Sequence, residues 1–184
     1  DDLPGDAPDA PRRPIDLPGG PRVGKLLHAM LELGPWEQMR DPATVASATW
    51  VQELFETHGV SNVHAEAAAG LVVRALDRPL ALPGGRGAVT LRDLRHVREL
   101  DFLLRLDPGR TEVRGFVDLV FEVDGEVYVL DYKSDILPDY GPAALRAHVG
   151  HAYALQADIY LEAARRHFAR IPGGVVYLFL RAEP

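Results

Sequence analysis

The 184-residue sequence predicts an α/β fold, a central sheet covered by helices. Three observations carry the prediction. The run Val113 to Ser134 reads as two β-rich segments joined by Asp124-Gly125. Gly and Asp tolerate the positive φ of a type I′ turn, so the run is a hairpin. Residues 142–169 then read as the longest helix. Finally, the continuous apolar run V-V-Y-L-F-L after Gly173-Gly174 reads as a strand buried on both faces. A helix crossing over between strands makes the sheet an α/β one.

The elements follow in order. Residues 1–21 hold six Pro and three Gly and read as a linker or tail. The chain is therefore expected to be a piece of a longer protein, with one folded domain over 22–184. Residues 22–33 form a helix, with Leu27, Met30 and Leu31 on its apolar face. His28 neighbours that face and Glu32 follows one turn later. A lone His on such a helix is more often packed or solvated than a ligand. Gly19-x4-Gly24-Lys25 imitates a phosphate-binding loop, but Leu26 stands where Ser or Thr is needed and no strand precedes it. That reading is rejected.

Gly34-Pro35 ends the first helix. Asp41-Pro42 starts a second, running to about His58, and Ser61 caps a third, running to about Leu76. His58 and His64 flank the turn between them as surface residues. Pro79 to Gly87 is loop, and residues 95–106 form a strand on which Glu99 and Asp101 share one face. Arg92, Arg95 and Arg98 are candidates for a basic patch. On the long helix, Tyr153, Gln156 and Tyr160 make one stripe, with a Gln unusual for pure core.

The hairpin holds the most chemistry. With Asp124 and Gly125 as the central turn residues, Val123 pairs with Glu126 and Asp118 falls opposite Asp131. Lys133 shares the face of Asp131, two residues on. The other face carries Val117, Leu119, Phe121, Val123, Tyr128, Leu130 and Tyr132. Like charges directly opposite destabilise a strand pair. The counter-charge is either the Lys133 ammonium or a hard divalent cation, since Mg²⁺ takes one or two carboxylates. The plain alternative is a solvated sheet face with ordinary charges.

Composition narrows the class. A 47% hydrophobic content suits one domain with a real core. Cys is absent, which excludes disulfides, thiolate zinc sites and iron–sulfur clusters and fits a cytoplasmic protein. No apolar run reaches about 18 residues, so no membrane span is expected, and no secretory signal opens the chain. A net charge of −7 argues against a free-standing nucleic-acid binder. Lys25 and Lys133 are the two lysines of the chain.

Taken together, these segments resemble a known family. Gly115-Phe-Val-Asp118 followed by Asp131-Tyr-Lys133-Ser134 resembles the core of the PD-(D/E)XK nuclease superfamily. The finer match is to the C-terminal nuclease domain of the RecB and AddA helicase–nucleases. That domain carries Gly-x3-His, met at Gly24 to His28, and Arg-Glu-x-x-Phe, met at Arg98 to Phe102. It carries Tyr-x2-Gln-x3-Tyr, met at Tyr153, Gln156 and Tyr160, and a closing strand met from Gly173 to Arg181. The resemblance covers roughly residues 20–182, in order. Asp135 departs from the family's usual Asn, and the segment between Glu99 and Gly115 is short.

The resemblance implies a restriction-endonuclease-like mixed central sheet flanked by helices. It implies that His28, Asp118, Asp131 and the Tyr132 carbonyl hold Mg²⁺, with Mn²⁺ able to substitute. Lys133 would orient or activate the attacking water and offset phosphate charge. Gln156 and Tyr160 would steady Lys133 or contact the nucleic-acid backbone. The implied activity is DNA hydrolysis, exo- or endonucleolytic, on single- or double-stranded ends in double-strand-break repair. A helicase domain in the same parent chain and further subunits are the implied partners. The alternative is a catalytically silent module that binds or scaffolds DNA ends.

Overall fold

A computed structural model describes residues 17–107 and 111–182. Four helices come first: α1 Pro21–Leu33, α2 Pro42–Ser47, α3 Thr49–His58 and α4 Ala65–Asp77. Two short strands, β1 Leu80–Ala81 and β2 Ala88–Val89, pair with each other. The main strands are β3 His96–Asp107, β4 Thr111–Val123 and β5 Glu126–Lys133. Helices α5 Pro142–Ala152 and α6 Ala154–Phe168 lead to β6 Gly174–Phe179. The main sheet has the order β3-β4-β5-β6, antiparallel except for the parallel pair β5 and β6. It is therefore mixed, with helices on both faces.

Each face packs through a periodicity visible in the chain. On α1, Val23, Leu26, Leu27, Met30 and Leu31 recur at helical spacing and are buried. Each such side chain contributes about 1.5–3 kcal/mol on burial. They meet Phe55, Leu76, Leu119, Phe121, Tyr128 and Leu130 in the larger core. On the other face α6 presents Tyr160, Ala163 and Ala164 to Phe102, Leu104, Val120, Val127 and Val129. β5 is covered on both sides, which is why its sequence is nearly continuous in large apolar residues.

The hairpin has the expected register, from Val123 opposite Glu126 to Leu119 opposite Leu130. The recorded pairing stops there, one pair short of Asp118 and Asp131. The interruption continues into β3, where Glu99 adopts φ 49° and neither Glu99 nor Asp118 joins the ladder between Arg98–Leu119 and Leu100–Val117. The pleat changes phase at this point. Val117 consequently packs with Phe102 and Val120 under α6, not with Leu119 and Phe121 as strict alternation predicts.

Other expectations change too. The helix expected over 142–169 is two helices, because Tyr153 leaves helical geometry at φ −125°, ψ 6°. The helix expected from Pro42 to His58 is also two, broken where Ala48 is extended at φ −66°, ψ 137°. Gln52 caps the carbonyl of Ala46 at that break. Asp41 caps α2 as expected, but Ser61 makes no side-chain cap. β6 is an edge strand, so Val175, Val176 and Tyr177 are half-buried and only Leu178, Phe179 and Leu180 are fully covered. Residues 17–20 are docked rather than free: Leu17 is buried, and Arg181 donates to the carbonyls of Leu17 and Pro18.

Candidate active site

The last residues of β5 carry the charged centre. Strand alternation puts Asp131 and Lys133 on one face, beyond Val127 and Val129 and facing α6. The Lys133 ammonium lies 2.7 Å from Asp131 Oδ2 and donates to Gln156 Oε1 at 2.9 Å. Gln156 Nε2 donates to the Tyr160 hydroxyl at 3.0 Å, and that hydroxyl donates to Asp131 Oδ1 at 2.8 Å. Gln156 Nε2 also reaches Asp131 Oδ1 at 3.3 Å. The four side chains close a ring. Asp131 Oδ2 is buried, with the Lys133 ammonium as its charged neighbour.

Burial, and next the field of Asp118, raise the pKa of Asp131; Lys133 and Tyr160 pull it back. Burial and the neighbouring Asp131 hold the Tyr160 phenol well above its ordinary value, so it stays a donor.

Asp118 occupies the gap in the ladder. Its Oδ2 accepts the backbone N–H of Tyr132 at 2.7 Å, and its Oδ1 lies 3.3 Å from His28 Nδ1. His28 thus reaches the site from α1, with its ring edge-on to Tyr132. Burial alone would lower the pKa of His28, but the hydrogen bond to Asp118 and the fields of Asp118 and Asp131 outweigh it and raise the value. Glu99 and Asp101 part company. Glu99 has a raised pKa, from burial first and then from Asp118 and Glu32. Asp101 is exposed and pairs with Arg114. A left-handed non-glycine residue costs on the order of 1–3 kcal/mol and is retained where its surroundings over-determine it. Here it sits beside the acidic centre.

Several motif residues act as supports. Gly24 is bare because a Cβ there would lie 2.8 Å from Ser134 Oγ, so its absence lets α1 approach the end of β5. Gly115 lies beneath the Phe102 ring, which meets Tyr160 edge-on. Arg98 donates to the carbonyls of Glu32 and Gly34 and stacks over Trp36, tying β3 to the end of α1. Arg92 is likewise buried against the carbonyls of Trp36 and Met39 and the Asp77 carboxylate. These two arginines are structural, which corrects the expected patch; Arg95 alone of the three is exposed.

The structure thus brings Asp131, Lys133, Gln156 and Tyr160 into direct contact, and joins His28, Asp118 and the Tyr132 amide in a second group. Among the described residues no three His, Asp or Glu side chains form a ready-made metal cage. Sequence reasoning left two residues without a role. Tyr153, beneath Lys133, was visible in a motif; Tyr177 reaches the same place through the parallel pairing of β5 and β6, which nothing local in the sequence encodes. A groove of about 480 Å³ beside the hairpin turn, lined in part by Arg95, Val97, Phe168 and Arg170, contains none of these residues.

A mixed sheet between helices carries Asp131 and Lys133 two apart on a central strand and Asp118 on its neighbour, the placement that the resemblance leads one to expect. The chain belongs to the PD-(D/E)XK nuclease superfamily, whose family model matches residues 8–184. Within that superfamily it is similar to the RecBCD enzyme subunit RecB of Escherichia coli K12, at 30% identity over 209 aligned positions, covering 91% of this chain and 17% of that protein. RecB of Haemophilus influenzae is 29% identical, with 91% and 17% covered. RecB of Mycobacterium tuberculosis is 29% identical over 249 positions, with 97% and 22% covered. The chain therefore spans about a fifth of the length of these relatives. The alignments are longer than the chain's own 184 residues, so the relatives carry extra residues within the matched region.

Proposed function

We propose that this chain hydrolyses DNA phosphodiester bonds with a divalent cation, Mg²⁺ or in its place Mn²⁺. We read it as the nuclease domain of a RecB-like helicase–nuclease that processes DNA ends in double-strand-break repair. The observation that carries the reading is the closed ring of Asp131, Lys133, Gln156 and Tyr160, beside Asp118 and His28.

The residues fit a hard cation. Asp131 Oδ1 is taken by Tyr160 and Gln156, while Oδ2 is buried and faces the Lys133 ammonium at 2.7 Å. Carboxylate oxygens and neutral imidazole are the donors that Mg²⁺ and Mn²⁺ accept. Asp118, Asp131, His28 and the Tyr132 carbonyl would hold the ion. Bound there, it would supply a hydroxide nucleophile near neutral pH and stabilise charge on the phosphate.

The chain's own groups do the rest. Gln156 fixes the Lys133 ammonium, which has donors to spare for a water and a phosphate oxygen. Its positive charge offsets charge developing on the phosphate. Tyr160 holds the Asp131 carboxylate in place. His28 ligates only when neutral, so cation binding releases a proton wherever His28 is charged.

Linear single- and double-stranded DNA incubated with Mg²⁺, with Mn²⁺ and with EDTA tests the proposal. Cleavage is expected with either ion and none with EDTA. Lys133→Ala should abolish cleavage while calorimetry still detects Mn²⁺ binding. Robust cleavage after thorough chelation would overturn the metal mechanism. Cation binding without cleavage of either DNA would instead make the chain a silent end-binding module.

A further inference from the structure

Lys133 is held by more than its polar partners. Its ammonium sits 3.8 Å from the centre of the Tyr153 ring and 5.3 Å from that of Tyr177. The two rings are stacked, 5.4 Å apart and 26° from parallel. A cation over an aromatic face is attracted by the negative face of the ring. Tyr153 occupies this place because the helix breaks there. The Tyr177 hydroxyl donates to the Tyr153 carbonyl at 3.1 Å, and the Tyr153 hydroxyl donates to Asp135 Oδ2 at 2.9 Å. Donation to a carboxylate enriches the phenol ring in electron density and so strengthens its pull on a cation. That links Asp135, the residue departing from the family's usual Asn, to the lysine two positions before it.

We propose that Tyr153 and Tyr177 are positioning residues for Lys133, a stacked aromatic floor that keeps the ammonium over Asp131 and Gln156 and that Asp135 anchors. The proposal rests on the nuclease reading for its catalytic consequence, but not for its geometry. A lysine stem is flexible, with three rotatable donors at its tip. The polar ring restrains that tip from one side and the aromatic floor from the other.

The two lysines make a direct test practical. With lysine side chains ¹³C-labelled, the ε-methylene region of an NMR spectrum contains two signals, and Lys25→Arg assigns them. Ring currents should displace the Lys133 signal upfield of the Lys25 signal. Tyr153→Phe keeps the ring and should keep most of the displacement and of kcat. Tyr153→Leu should remove most of the displacement, leaving the share of Tyr177, and lower kcat about ten-fold with KM unchanged. Asp135→Asn should show a smaller loss of both. Should Tyr153→Leu fail to fold, Tyr177→Leu removes the second ring instead and should lose part of the displacement and of kcat.

A residue that merely packs would lower the melting temperature without splitting Phe from Leu in kcat. An undisplaced Lys133 signal in the wild type overturns the floor whether or not the protein cleaves DNA. So does a displacement lost in Tyr153→Leu with kcat unchanged. A wild type that shows the displacement and cleaves no DNA defeats the nuclease reading and leaves the floor standing.

Discussion

Lys133→Met isolates the ion pair at the centre of the site. Lys133 and Asp131 have side chains 11% and 4% exposed, with nitrogen and oxygen 2.7 Å apart. Removing one partner of a buried pair costs about 3–5 kcal/mol, because the other charge stays buried and uncompensated. Met preserves the length of the stem, so packing changes little. Asp131 keeps its bonds from Tyr160 and Gln156, which argues for the lower end, about 3 kcal/mol. In a domain of this size 1 kcal/mol moves the melting temperature by about 2–4 °C, so the mutant should melt about 6–12 °C lower in EDTA at pH 7.5. The Asp131 pKa already lies above its unfolded value, and losing Lys133 raises it further. The native state then binds that proton more tightly than the unfolded state, so stability falls as pH rises through the raised value. The deficit should shrink toward pH 5. Circular-dichroism melts of Lys133→Met, Asp131→Asn and the double mutant give the coupling. A double mutant as stable as Asp131→Asn supports the pair; strictly additive losses at pH 7.5 would refute it.

Three further outcomes are expected. Asp118→Asn should stay within about 1 kcal/mol of wild type in EDTA, since the weaker bond to the Tyr132 amide is offset by relief of repulsion with Asp131. Mg²⁺ at ten times its Kd should stabilise wild type by about 1.4 kcal/mol and this mutant far less, which thermal melts across a Mg²⁺ titration will read. The raised pKa of His28 implies stability that is full below about pH 6.5 and lost as pH rises through the folded value, so the apo melting temperature should fall on the alkaline side and His28→Asn should flatten that fall. Arg98→Ala should destabilise the fold by freeing the carbonyls of Glu32 and Gly34, yet leave the salt dependence of DNA binding unchanged, as measured by fluorescence titration between low and high salt.

How far the sequence reaches differs from element to element. The hairpin register was legible because a two-residue turn and strict alternation both specify it. The end of that register was not, because Glu99 in the neighbouring strand breaks the ladder at Asp118, and no local rule places a non-glycine residue at φ 49°. The break at Tyr153 was hidden for a similar reason. Residues on both sides favour helix, and the groups that hold Tyr153 out of it, the Tyr177 ring and hydroxyl and the Asp135 carboxylate, come from β6 and the loop after β5. Asp131 and Lys133 stood out by charge and spacing. His28, Gln156 and Tyr160 gained meaning only through the family resemblance, since each alone is an ordinary helix residue. The arginines misled because a guanidinium binds carbonyls as readily as phosphates, and the carbonyls here belong to distant segments.

The guanidinium of Arg181 holds three carbonyls at once, those of Leu17, Pro18 and Ser134. Mechanically it is a rivet. Leu17 itself sits in the main core with the residues of α1, so Arg181 shares its hold on this segment with apolar packing and ties it to the loop that follows β5. A pull at Leu17 would therefore be felt both in the core and at the end of the strand that carries Lys133.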